Sequence, residues 1–177
     1  TGGEYFNGSL DDARVYSRAL SATEIKQLYQ MGGGKIAKSV PSIQQGLVGW
    51  WTFDGKDSGL NSGVRYVNDK SGKGNNASST TAASNPTTAL GKIGQAFKFD
   101  GVDDILNVTA ASNLDFGTGD FSVALWLKTS VLLNIGGIVS RDGGSGQRWL
   151  VNFHNTSNYM YFYVSDGTNF RDSRITS

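Results

Sequence analysis

Three carboxylates crowd into the turn Asp100-Gly101-Val102-Asp103-Asp104. Calcium takes about six to eight hard oxygen ligands from carboxylates and backbone carbonyls on loops. A turn with three Asp around Gly101 can supply several of them. Asp54, in the similar Phe53-Asp54-Gly55, is a further donor. The plainer role for the same residues is local, because Asp side chains accept hydrogen bonds from turn amides. A second constellation is aromatic. Tyr159, Tyr161 and Tyr163 alternate with Met160, Phe162 and Val164. A strand has a side-chain period of two, so the three tyrosines share one face. Arg148, Trp149 and His154 belong to the strand before it. Sugars stack their apolar faces on aromatic rings while polar groups fix the hydroxyls. Trp149, His154, Tyr159, Tyr161 and Tyr163, with Arg141 at a hairpin tip, are therefore the candidate ligand-binding set. The competing role for the tyrosines is structural, since Tyr suits a half-buried sheet surface.

Other chemistries find little support. Of the 15 acidic residues only Glu4 and Glu24 are Glu, the other thirteen being Asp, and no Glu follows Glu24. Retaining and inverting glycosidases need two carboxyl groups flanking one bond. Here the first Glu falls in a turn and the second in a helix. One His and no Cys leave little for a catalytic triad or a zinc site. Gly32-Gly33-Gly34-Lys35 lacks the spacing of a phosphate-binding loop. The net charge of +1 gives no electrostatic reason to expect nucleic acid or an anionic membrane. No stretch has the length to span a bilayer. The expectation is a non-enzyme without membrane insertion.

The elements that must position these groups are mostly strands. With 24 Gly and 2 Pro in 177 residues, the chain reads as short elements joined by tight turns. Strands are expected near 10–16, 46–53, 64–67, 97–99, 105–108, 121–128, 136–140, 148–153, 159–164 and 170–175. In Phe121 to Lys128, Phe121, Val123, Leu125 and Leu127 share one face. The spacing predicts one helix over 21–31, with Ser21 and Glu24 as a capping box and Ile25, Leu28 and Tyr29 as an apolar stripe. Gly32-Gly33-Gly34 should end it in the left-handed conformation. Residues 54–63 and 77–89 read as loops. Trp50, Trp51 and Trp126 read as packing residues. The fold class is all-β, an antiparallel two-sheet sandwich with one short helix near the N-terminus.

Five segments resemble the laminin-G-like jelly rolls of the concanavalin A-like lectin/glucanase superfamily, in their bacterial tandem-repeat form. These are GLVGWWTFDG (46–55), DKSGKGNNA (69–77), LGKIGQAFKFDGVDDIL (90–106), FSVALWLKT (121–129) and FNGSLDDARVYSRALSATEIKQLY (6–29). The last resembles the closing strand and helix of such a domain, yet it comes first in the chain. The family's Trp-His strand and Tyr-x-Asp-Gly hairpin are not found. Residues 1–33 are therefore expected to be the end of one repeat, or a permuted edge strand. Residues 34–45 read as a linker and 46–177 as a sandwich lacking its last strands. The chain begins at Thr1 rather than Met, which reads as a processed product or a fragment.

The resemblance implies a structural calcium tied to an Asp of the closing strand, here Asp11. The expected metal set is then Asp11, Asp54, Asp100, Gly101, Asp103 and Asp104. It also implies an extracellular or cell-surface recognition or adhesion module, binding a glycan or a surface protein. The rival expectations are a ligand-free spacer repeat and an accessory domain of a secreted glycan-degrading enzyme. Open sheet edges would favour self-association or pairing with neighbouring repeats.

Overall fold

The computed structural model describes residues 5–34, 41–109, 112–130, 137–142, 147–154 and 159–176. The protein is an all-β sandwich with one α-helix. Its largest sheet is organised on β1 (Asn7–Tyr16). One edge of β1 is shared end to end by two strands. β7 (Gln95–Asp100) pairs with Asn7 to Leu10, and β2 (Leu47–Trp51) pairs with Ala13 to Tyr16. The other edge is taken along most of its length by β9 (Ser122–Lys128). A short strand, β6 (Thr87–Leu90), extends the sheet beyond β7. All these pairs are antiparallel. Asn7–Tyr16, within the segment that the sequence suggested to be a repeat end or an edge, therefore forms an interior strand.

β1 reaches this position through a bulge. Leu10 pairs with Leu127 and Val15 with Val123. The two β9 partners are four residues apart and share a face, whereas Leu10 and Val15 are five apart. One extra residue must lie between them. Asp12 adopts φ 49°, a left-handed conformation that Asp tolerates better than most residues. The bulge brings Leu10, Ala13 and Val15 together into the core. Strict alternation from Leu10 would have put Asp12 and Arg14 there instead.

The second sheet is a meander of β10 (Gly137–Asp142), β11 (Gln147–His154), β12 (Tyr159–Asp166) and β13 (Phe170–Thr176). Its inner residues Trp149 and Val151 are buried against the first sheet's core. Met160, Phe162 and Val164 pack there too, partly buried. A small third sheet contains β3 (Ser58–Asn61), β4 (Val64–Val67), β5 (Ala77–Ser78) and β8 (Asn107–Val108). β3 lies in a segment that composition marks as loop. Ser62 at φ 50° and Gly63 at φ 83° form the two-residue turn that matches the twist of a hairpin. β5 and β6 likewise lie in the 77–89 stretch expected to be an exposed loop, where Ala77, Ser79 and Ser84 are buried.

The loop after β4 is tied to β2 by one carboxylate. Asp69 Oδ1 accepts from the amides of Trp50 at 2.9 Å and Ser71 at 2.8 Å. Its Oδ2 accepts from the amide of Asn75 at 3.0 Å. Asn75 closes the contact by donating to Val48 O and accepting from Trp51 Nε1.

Helix α1 (Ala22–Met31) begins with the expected capping box. Arg18 reinforces it with a bidentate pair to Glu24, at 2.7 and 3.0 Å. That guanidinium, with the Ser21 amide and hydroxyl, holds the Glu24 carboxyl down to about 2. At the far end Gly32 stays helical, and the left-handed residue is Gly34 at φ 72°. The expected apolar stripe is largely outside the core. Ile25 and Tyr29 are exposed, and Tyr29 packs on Trp126 at 5.5 Å. No described helix is long and apolar enough to cross a membrane.

Candidate functional site

The six residues expected to form one metal site lie at opposite ends of β7. Asp11 and Asp54 meet its beginning. Asp11 Oδ2 accepts from the Ile93 amide at 2.7 Å, and Asp54 Oδ1 from the Gln95 amide at 2.8 Å. The turn that receives them needs glycine. Gly94 has φ 69°, and a Cβ there would collide with Asp54 Oδ1. Asp100, Gly101, Asp103 and Asp104 follow the strand's other end. Five steps of roughly 3.3 Å separate Gln95 from Asp100, so about 17 Å divides the groups.

The acidic turn is held together by its own backbone. Asp100 Oδ1 accepts from the amides of Val102 at 2.8 Å and Asp103 at 3.4 Å. Asp104 is buried and its Oδ2 accepts from the Asp100 amide at 2.8 Å. Burial pushes the Asp104 carboxyl up, with the Asp100 amide pulling the other way. The ligand atoms of Asp100, Asp103 and Asp104 lie within 4.8 Å of one another. Turn closure already accounts for the hydrogen bonds of Asp100 and Asp104.

Asp11 is different. It is 3% exposed, and its Oδ1 is buried with no hydrogen-bond partner. A buried carboxylate oxygen without a donor is costly. Burial pushes the Asp11 carboxyl up to about 6, against the amides of Ile93 and Lys92, while the charges of Asp12 and Asp54 add to the rise. The donor set of Asp11 and Asp54 suits a hard cation. Lys56 reaches Asp54 at 3.4 Å, but its side chain is largely exposed. Such surface pairs contribute about 0–1 kcal/mol, so a divalent ion could displace it.

The aromatic set divides by strand parity. Antiparallel partners point the same way, and the register pairs Leu150 with Tyr163, Asn152 with Tyr161 and His154 with Tyr159. Tyr161 and Tyr163 stack at 6.2 Å on the outer face, and Tyr163 stacks on Phe170 at 6.0 Å and 14°. Phe170 is 59% exposed. The Arg148 guanidinium lies 5.9 Å from the Tyr163 ring centre. Asn152, beside Tyr161 in the register, has its Oδ1 buried and without a partner. The side chains of His154 and Tyr159 lie outside the described residues.

Trp149 does not belong to this face. It pairs with Val164, is buried, and donates its indole N–H to Leu114 O at 3.2 Å. Arg141 sits within β10 and holds Asp115 bidentately at 2.8 and 2.9 Å. Trp51 is core, and half-buried Trp50 donates to Asp12 Oδ1 at 2.6 Å.

Phe170 and Asn152 were absent from the sequence-derived set. The Asp166-Gly167-Thr168-Asn169 turn was the available signal for Phe170, because a tight turn fixes the register of the strand that follows it. Asn152 follows from parity once His154 is placed.

The fold and this site define an antiparallel β-sandwich that presents an aromatic ladder on one outer face and a buried carboxylate, Asp11, on β1. Comparisons with family models, with curated proteins and with solved structures found no match.

The Asp11 environment gives a pH signature. Its folded value of about 6 exceeds the ordinary 3.8, so the folded state holds this proton more tightly. The resulting stabilisation is present below about pH 4 and is lost as pH rises through about 6. Urea unfolding in chelator should show the wild type losing roughly 3 kcal/mol relative to Asp11→Asn between pH 4 and 7. A difference that does not change with pH contradicts the assignment.

Proposed function

We propose that this chain is a non-catalytic recognition module that binds a glycan on the outer face of its second sheet. The carrying observation is the Tyr161–Tyr163–Phe170 ladder, stacked and edged by Arg148. Flat rings in a row match the apolar faces of successive pyranoses, and the polar groups beside them can fix hydroxyls. A non-catalytic role is supported by the state of Glu24, held ionised by Arg18 at a helix start rather than facing a second carboxyl group.

The laminin-G-like resemblance supports an extracellular or cell-surface setting and adhesion to glycans or surface proteins. The observation in its favour is that the 6–29 segment pairs with all three of the 46–55, 90–106 and 121–129 segments. The outer edge of β13 has no ladder partner among the described residues, which leaves it open to self-association. Binding should be read by titrating neutral oligosaccharides into the protein. Tyr163→Ala should weaken binding about tenfold, a loss of about 1.4 kcal/mol, with little change in melting temperature. No saturable binding to any glycan would favour the ligand-free spacer instead.

We also propose that Asp11 and Asp54 hold a structural calcium. The ion would neutralise the buried Asp11 carboxylate and bind only the folded state. Millimolar calcium should raise the melting temperature at pH 7 by mass action, and Asp11→Asn should abolish the rise. Retention of the full rise in Asp11→Asn, with loss in Asp103→Asn, would move the ion to the acidic turn.

A further inference from the structure

The second sheet ends on two unlike edges. On the β10 side, Tyr5 meets Gly137 through a parallel bridge. On the other side β13 pairs with β12 along its whole length, from Phe170 opposite Ser165 to Thr176 opposite Tyr159. Its outer edge has no ladder partner among the described residues. Half of a strand's backbone N–H and C=O groups point to such an edge, which makes it a template for another strand.

Charged side chains usually blunt an open edge. Those of β13 instead discriminate between registers. Arg171, Asp172, Ser173 and Arg174 are all exposed. Asp172 pairs with Tyr163 and Arg174 with Tyr161, so both stand on the tyrosine face, while Ser173 pairs with Phe162 on the inner one. When β13 pairs with itself about a two-fold axis perpendicular to the sheet, the outer faces stay continuous only if the axis passes through a residue. With the axis at Ser173, Asp172 of each copy lies opposite Arg174 of the other. With the axis at Asp172 or at Arg174, the next registers on either side, a charge lies opposite its own kind. Opposite charges support a cross-strand pair and like charges destabilise it. Within one chain Arg174 Nε reaches Asp172 Oδ2 at 2.9 Å, with the Arg174 side chain 57% exposed. Such surface pairs are weak, so exchange for the cross-strand pair costs little.

We infer that β13 is a self-complementary interaction surface, on which a second copy of this chain pairs antiparallel about Ser173 and joins two four-stranded sheets into one continuous sheet. The inference goes beyond the glycan reading and does not depend on it. The tyrosine ladders of the two copies then share one outer face, three strand spacings or roughly 14 Å apart. The seven residues of β13 make a small contact, so the dimer belongs to the weak, exchanging class.

Sedimentation between about 10 μM and 1 mM tests the pairing, and the wild type should dimerise within that range. Asp172→Arg and Arg174→Asp should each weaken the dimer about tenfold or more, at unchanged melting temperature. An equimolar mixture of the two variants should form a heterodimer of wild-type strength, because each like-charged edge then meets its opposite. Loss of the intrachain pair alone cannot produce that rescue. Ser173→Cys, in a chain without other Cys, should oxidise readily to a covalent dimer, since opposed residues of an antiparallel pair have Cα atoms about 4.5–5.5 Å apart. Thr168→Cys, in the turn outside the paired stretch, should do so far more slowly. A chain that stays monomeric to about 1 mM overturns the inference. So does a dimer that neither charge reversal weakens, a mixture in which the two variants fail to combine, or crosslinking of Thr168→Cys as fast as Ser173→Cys.

Discussion

Both edges of β1 are in use. β7 and β2 divide one edge, β9 covers most of the other, and every ladder is antiparallel. Three segments far apart in sequence therefore meet only through this strand. Its inner side chains, Leu10, Ala13 and Val15, also supply the middle of the core. Removing the strand would leave β2, β7 and β9 with unpaired edges and expose the residues they share. Unpaired backbone groups and exposed apolar surface are both costly, so the large sheet is conditional on β1.

The same strand carries the buried Asp11 carboxylate. Asp11 precedes the bulge, in regular register opposite Trp126, and its carboxylate meets the β6–β7 turn, where Ile93 donates to one oxygen and the other has no partner. Asp54 arrives at that turn from the end of β2, the strand that pairs with the other half of β1. The second sheet owes its outer face to a similar constraint. Trp149, Phe162 and Val164 are committed to the core, so period two leaves Tyr161, Tyr163 and Asn152 outside. Packing on one side exposes the ladder on the other.

Much of the secondary structure was legible because it rests on local rules. The alternation in Phe121 to Lys128 and Tyr159 to Val164, and the Ser21–Glu24 capping box, all act within a few residues. Parity also separates Trp149 from His154, which are five positions apart and must face opposite ways. Long-range placement was not legible. Nothing in Leu10-Asp11-Asp12-Ala13 requires Asp12 to adopt φ 49° until Leu127 and Val123 are opposite. The acidic residues looked like one site because their types match, yet β7 holds them apart. Ser58 to Asn61 read as loop because composition hides the Ser62-Gly63 turn that pairs it with β4.

The dependence on β1 is tested most directly by native-state hydrogen exchange resolved by residue. The amides of Leu10, Val15 and their ladder partners on β9 should exchange only through global unfolding, at the slowest rate in the protein. The β13 and α1 amides should exchange faster through local opening. Fast exchange of β1 while β2, β7 and β9 stay protected would show that the large sheet stands without it, and would contradict the account.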